Sequence, residues 1–400
     1  MTRLASRMTA LQGPGTTAAA EAARQARAVG RPVLDIRSFG TASGLPPDHV
    51  REAVARAARD PGAGSSNGLP ELREAIAAKL AKDNGITADP REEILVTTGA
   101  KEGLYLAMGA IVEPGDEVLY HVPNYVFDGA IRLHGGVAVH LPTSPVDGFA
   151  LRLDDAARAV SPRTRVLVLC NPVNPTGHVP TREEVEAIGA FAERHDLWLL
   201  VDESYEKYVY DGRPRYSPAA YPDLRARTIT VQSFSKSYSL FAYRLGYIAA
   251  QAPVIAACRR VLEWIDIYLG PVPQHAALAA LTGPSVWIDE MLAMWQGARD
   301  RLVSGMRLLL PDVPFVTPQG TGFVFPDVTA FGRPSSEVAA MLLDTYGIPC
   351  VPGSVFHGEG RVRMGFGGTP AVQHELLMGL ARAFADATRR GGRPPTVSGS

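Results

Sequence analysis

From about residue 46 to residue 280 the chain alternates between short runs rich in β-branched and other apolar residues and longer stretches with apolar positions at helical spacing. The short runs predict strands at 93–97, 117–121, 137–141, 165–170, 197–201, 228–231 and 245–249. Between them the 3.6-residue period predicts helices that include 71–83, 101–112, 125–134, 182–194 and 254–263. Strands that are apolar on both faces and alternate with helices imply an α/β fold, a mostly parallel sheet covered on both sides in a three-layer α/β/α arrangement. After Pro284 the period lengthens into one amphipathic stretch, 285–310, and a shorter α+β region follows over 315–390, with strands expected at 322–326 and 362–366.

The organisation expected is an N-terminal segment (1–45) that contributes to a small domain, a large domain (46–284), a linking helix with a small C-terminal domain (285–390), and a flexible tail (391–400). The tail is polar and rich in Gly and Pro. The first 30 residues carry Arg3, Arg7, Arg24 and Arg27 and no acid before Glu21, a pattern compatible with a transit peptide. The stronger reading is an Ala-rich helix over 16–29 that Gly30 ends.

Composition narrows the function. Forty basic against 41 acidic residues leaves a net charge of −1, without the basic footprint of a nucleic-acid or anionic-membrane partner. Three scattered cysteines, Cys170, Cys258 and Cys350, build neither a disulfide framework nor a Cys-based metal site. His121, His134 and His140 lack metal-ligand spacing and read as packing or surface residues, so no metal is expected. No apolar run reaches the roughly 20 residues that span a bilayer. A cytoplasmic protein is expected.

Ligands of open α/β sheets sit beyond the carboxyl ends of the strands, and four segments place polar residues there. Thr97-Thr98-Gly99-Ala100-Lys101 closes a strand and opens a helix whose free N–H groups suit a phosphate. Asn171-Pro172-Val173-Asn174-Pro175-Thr176-Gly177 is a turn stiffened by two prolines that aims Asn174 above the sheet, or else holds a plain Asx turn. Asp202 ends the apolar run Leu199-Leu200-Val201, where an acid is desolvated and needs a cation to stay ionised, unless it only caps a helix. Ser233-Phe234-Ser235-Lys236, with Arg244 eight residues on, sets a lysine among hydroxyls near an arginine, which suits a Schiff base beside a phosphate.

With these four segments, and with Leu69-Pro70-Glu71-Leu72-Arg73, Tyr205-Glu206-Lys207-Tyr208-Val209-Tyr210-Asp211-Gly212 and Val351-Pro352-Gly353-Ser354, the sequence resembles the class I/II aminotransferases of the aspartate aminotransferase superfamily, fold-type-I enzymes that use pyridoxal 5'-phosphate. The resemblance runs from about residue 7 to 385. It implies that Lys236 forms the Schiff base and moves the substrate Cα proton. Asp202 would pair with the pyridinium nitrogen, and Asn174 and Tyr205 would bond the ring's phenolic oxygen. Tyr125 would stack on the ring. Gly99, Ala100, Lys101, Ser233, Ser235 and Arg244 would cradle the phosphate. Arg363 would grip the substrate carboxylate, with Gly40 and Asn174 beside it. The resemblance also implies amino-acid and 2-oxo-acid substrates and a homodimer completed across its two-fold axis.

Some positions depart from the family pattern. The loop that usually closes over the substrate reads Ser38-Phe39-Gly40-Thr41-Ala42-Ser43, a tyrosine usual near the neighbouring subunit's phosphate is Ala63, and Ala242 and Gly365 stand where glycine and serine are usual. These departures leave open a second reaction class on the same fold: a lyase, a β- or γ-replacement enzyme, or a carbon–carbon bond-forming enzyme. In the segment that approaches a partner's site in relatives, Asp266 suits a solvated face more than a cation-selecting one. The absence there of a second arginine disfavours aspartate or glutamate as amino donor.

Overall fold

The computed structural model describes residues 3–5, 8, 11, 13, 15–62 and 64–389; Ala63 and the 391–400 tail lie outside them. Seven strands form one sheet: β1 (Ile94–Thr97), β2 (Glu117–Val122), β3 (Val137–Pro142), β4 (Thr164–Cys170), β5 (Trp198–Asp202), β6 (Thr228–Ser233) and β7 (Gly246–Ala249). Their spatial order is β1-β7-β6-β5-β4-β2-β3. The pairs β2–β3, β2–β4, β4–β5 and β5–β6 are parallel, and β7 runs antiparallel to both its neighbours. Every residue of β1, β2, β6 and β7 is buried, whereas β3 at the edge is half-exposed. Burial on both faces is why the central strands β4 and β5 read as near-continuous apolar runs.

Alternate side chains leave the sheet on opposite faces and fill separate cores. Val118, Tyr120, Val166, Val168, Leu200 and Ile229 pack with helices Ala100–Ile111 and Ala252–Leu262. On the other face Leu119, Leu167, Leu169, Leu199 and Val201 pack with helix Arg182–Arg194. That helix starts on a reciprocal capping box between Thr181 and Glu184. Ile94, Val96 and Tyr247 meet helices Pro70–Lys79 and Pro271–Thr282. The sheet is thus the middle of three layers.

A second, three-stranded antiparallel sheet is formed by β8 (Phe323–Val324), β9 (Val351–Pro352) and β10 (Val362–Gly365), in the order β8-β10-β9. It shares a core with helices Val286–Leu309, Ser335–Tyr346 and Pro370–Arg389. Tyr205, Tyr208 and Tyr210, which follow β5, insert into that same core. The segment leaving the large sheet is therefore moored in the smaller one.

Local chemistry explains where elements stop short of their predicted lengths. The helix expected over 125–134 spans only Asp128–Leu133. Asn124 Oδ1 accepts from the N–H groups of Tyr125 (2.7 Å) and Val126 (3.2 Å), an Asx turn that competes with helix. The helix expected over 71–83 is α-helical over Pro70–Lys79 and widens into a π turn at Leu80–Asn84. Among the described residues no helix is long and apolar enough to cross a membrane.

Candidate active site

The parallel strands end on one edge, and the sequence candidates collect there. Asp202 is the last residue of β5 and Ser233 the last of β6. Lys236 lies on the short helix Phe234–Ser237, and Arg244 lies two residues before β7. Because β7 returns antiparallel to β6, residues 234–245 form a single return on this edge, and that return carries both cations.

Lys236 is enclosed by aromatic rings: its Nζ lies 3.1 Å from the Phe39 ring centroid and 4.7 Å from that of Phe241. Among the described residues its Nζ has no hydrogen-bond or ion-pair partner. Burial first, then the positive charges of Arg363 and Arg244, pull its ammonium well below the ordinary lysine range. The shift favours the neutral, nucleophilic form of the amine over the ammonium.

Asp202 is buried, and burial pushes its carboxyl above the ordinary range. Its Oδ1 accepts from the Ser204 N–H (3.0 Å) and hydroxyl (2.6 Å), and no cationic side chain among the described residues pairs with it. Tyr205 is buried too; burial holds its phenol protonated far above the ordinary range, against the opposing charge of Arg363.

The arginine end of the site rests on backbone approach. Arg244 takes a left-handed conformation (φ 55°), and its Nη1 donates to Ser235 Oγ at 3.3 Å. Ser233 Oγ accepts from the Ser235 N–H at 3.1 Å. Gly99 has φ 80°, and a Cβ there would lie 2.8 Å from Arg244 Nη2. Glycine leaves this wall of backbone open beside the guanidinium, at the start of the helix that begins with Ala100 and Lys101.

On the opposite side, Arg363 on β10 donates from Nη1 to Asn174 Oδ1 at 3.0 Å. Its guanidinium carbon lies 4.1 Å from the Phe323 ring centroid and 4.9 Å from that of Phe356. Asn174, 189 residues away in sequence, orients the planar group while the rings flank it. The Tyr125 ring meets Phe356 edge-on at 5.3 Å, and the Lys101 ammonium is 5.7 Å from its centroid.

Gly40 is held through both of its backbone polar groups. Its N–H donates to the Tyr208 hydroxyl (2.9 Å), and its carbonyl accepts from Trp295 Nε1 (2.8 Å). Thr41 N–H donates to Ser239 Oγ at 3.2 Å. The sequence reading missed Tyr208, Trp295, Phe241, Phe323 and Phe356, whose parts depend on contacts between distant segments. Phe241, inside the Arg244 segment, was the one within reach of local inspection. Two departures from the family pattern compensate each other: a Cβ at Gly365 would lie 2.4 Å from the Arg37 carbonyl oxygen and 2.7 Å from Ser38 Oγ. The absent side chain makes room for the rewritten loop. Ala63 lies outside the described residues, and Trp264, 93% exposed, is on the surface.

These groups leave bonding capacity that a ligand with complementary groups could use. An amine whose charged form is disfavoured suits a carbonyl carbon, a buried carboxyl without a cation suits a cationic ring nitrogen, and an arginine over open backbone suits a phosphate. Pyridoxal 5'-phosphate carries all three features. Together with the sheet order, this edge marks the fold-type-I class of enzymes.

A model of the family "Aminotransferase class I and II" matches residues 38–380. The chain is 36% identical over 332 residues to an aspartate aminotransferase of Pyrococcus abyssi, covering 80% of this chain and 84% of that protein. It is equally similar, with the same coverage, to an aromatic-amino-acid aminotransferase of Thermococcus litoralis. The solved aspartate aminotransferase from Thermus thermophilus with maleate superposes with a TM-score of 0.89 at 31% identity, covering 96% of this chain and all of that one. The chain belongs to the class I and II aminotransferases, a family that works with pyridoxal phosphate. It is an aminotransferase, and its relatives do not support the lyase, replacement or carbon–carbon bond-forming alternatives.

Proposed function

We propose that this enzyme moves an amino group between a 2-amino acid with an apolar or aromatic side chain and a 2-oxo acid, with pyridoxal 5'-phosphate covalently held on Lys236. The observation that carries the reading is the unpartnered, desolvated Lys236 amine set between two aromatic rings. When bound, the cofactor supplies an aldehyde that takes up amines and a cationic ring that draws electrons from the substrate Cα.

The remaining work falls to the chain. Lys236 would hold the cofactor's aldehyde through its Nζ and, when free, would move the proton at the substrate Cα. Asp202 would hold the ring nitrogen protonated, since a cation beside it restores the ionisation that burial opposes. Asn174 and the protonated Tyr205 would face the ring's oxygen. Tyr125 would cover the ring. The N–H groups of Ala100 and Lys101 at the helix start beside Gly99, with Ser233, Ser235 and Arg244, would hold the phosphate. Arg363, braced by Asn174, would bind the substrate carboxylate through two parallel hydrogen bonds. Gly40 would close the substrate end, and Phe39 and Phe241 would wall the side-chain pocket.

We also propose that the active unit is a homodimer. Trp264 (93% exposed), Ile267 (77%) and Tyr268 (47%) form an apolar stretch that a second copy would cover.

The test is a visible spectrum of the purified protein titrated with single amino acids. Phenylalanine or leucine should discharge the cofactor's band, and the matching 2-oxo acids should restore it. A band that no amino acid discharges would refute transamination here. Faster discharge by aspartate would refute the side-chain assignment alone.

A further inference from the structure

A second cluster of chemistry-bearing side chains lies outside the active site, where the half-exposed edge of the large sheet meets the turn that carries Phe356. Parallel pairing of β2 and β3 sets Tyr120 opposite His140, and the Tyr120 hydroxyl lies 2.8 Å from His140 Nε2. Asp128, the first residue of helix Asp128–Leu133, divides its carboxylate between two imidazoles. Oδ1 is 3.5 Å from His140 Nε2, and Oδ2 is 2.8 Å from His357 Nε2. The two imidazole rings are tilted 43° to each other, with centroids 4.0 Å apart. One ligand atom from each of the three residues lies within 4.8 Å of the other two.

We propose that Asp128, His140 and His357 form a binding site for a divalent transition-metal ion of the Zn²⁺ class, which ties the large sheet to the smaller one. Two imidazoles and a carboxylate are a ligand set that Zn²⁺ accepts, and three protein ligands leave a fourth position for water. Ligands at about 2.0–2.2 Å from a tetrahedral ion stand about 3.4 Å apart. The Asp128–His140 separation already matches that spacing. The shorter Asp128–His357 contact is a hydrogen bond that the ion would replace as it enters. The side chains of His140 and His357 are 30% and 36% exposed, which leaves an ion a route in. Asp128, His357, Lys101 and Tyr125 line one cavity of about 770 Å³ open to that side.

The position of His357 is itself informative. It has φ 57°, a left-handed backbone that glycine adopts at less cost and that asparagine also tolerates. The residue before it anchors the smaller unit to the larger: the Phe356 carbonyl accepts from the Asn124 N–H at 2.9 Å, and its ring flanks Arg363. An ion on His357 would add a coordinate clamp next to that hydrogen bond. No linear motif joins positions 128, 140 and 357, and only the folded chain assembles them.

The test is a titration of the purified holoenzyme with Co²⁺, whose visible d–d band reports tetrahedral or five-coordinate nitrogen and oxygen ligation, alongside thermal unfolding with and without Zn²⁺. The intact protein should develop the band with one ion bound per chain, and Zn²⁺ should abolish the band and raise the unfolding temperature. His140→Ala should weaken Co²⁺ binding by more than the roughly 10–100-fold typical of losing an outer-shell contact. His357→Asn, which keeps the left-handed backbone and tests the ligand without straining the turn, should do the same. The proposal is overturned if the intact protein gives no band, or if both variants titrate like the parent.

Discussion

Tyr208→Phe isolates one oxygen atom that holds the substrate-facing loop in place. Tyr208 is fully buried, and its hydroxyl accepts the Gly40 N–H at 2.9 Å while facing Met291 Sδ at 3.7 Å. Burial keeps the phenol protonated far above its ordinary range, so it acts as a neutral partner at any working pH. Phenylalanine fills nearly the same volume but leaves a buried backbone donor unpaired, which costs about 1–3 kcal/mol. Trp295 still holds the Gly40 carbonyl and Ser239 still holds Thr41, so the loop stays attached and the cost appears as easier local opening. At about 1.4 kcal/mol per tenfold, opening should become roughly 5- to 150-fold more frequent. Hydrogen exchange of a peptide spanning residues 36–44 should quicken by that factor, while peptides from β4 and β5 keep their protection. The KM for the amino acid should rise more than kcat falls, because Lys236 and Arg363 are untouched. If exchange over 36–44 is unchanged, the hydroxyl does not restrain Gly40 and the account of this loop is wrong.

Three more outcomes follow from the same geometry. Gly99→Ala puts a Cβ 2.8 Å from Arg244 Nη2 at a positive φ, and should weaken cofactor retention about tenfold or more without unfolding the chain; unchanged retention on dialysis would contradict the backbone-cradle reading. Arg363→Lys loses the planar fork flanked by Phe323 and Phe356, and should raise the amino-acid KM by about 10- to 150-fold, the equivalent of 1.5–3 kcal/mol; a near-normal KM would remove Arg363 from the carboxylate site. For Lys236 the folded value lies well below 10.5, so between the two the unfolded chain binds a proton that the folded chain does not, and stability rises with pH through that window. Lys236→Met removes this slope: the cofactor-free variant should be more stable than the parent at pH 7, with the gap in urea midpoint closing toward pH 10, and a gap independent of pH would refute the desolvated-amine account.

The parts of this enzyme legible in one dimension are those built by short-range physics. Apolar runs on the inner strands, the capping box at Thr181 and the turn chemistry at strand ends are read within a few residues. Lys236, Asp202, Asn174 and Arg244 stood out because each lies beside a strand end in its own local segment. Tyr125 shows the limit of that reading, since an Asx turn from Asn124 overrode a helical period that extended through it.

What the sequence by itself determined, then, is the succession of strands and helices, the α/β class and the residues that end on the sheet's carboxyl edge. Hydrophobic period and turn chemistry act over the few residues that carry them, so they survive in one dimension. Only the tertiary structure decided that β7 inserts antiparallel between β1 and β6, which brings Lys236 and Arg244 onto the same edge. It alone decided that Arg363 meets Asn174, that Tyr208 and Trp295 seize Gly40, and that Asp128 falls between His140 and His357. Those pairings join segments from 12 to 255 residues apart. They exist because burying both faces of the large sheet, and the core of the smaller one, leaves the chain one way to pack, and no local pattern encodes which distant loops that packing makes neighbours.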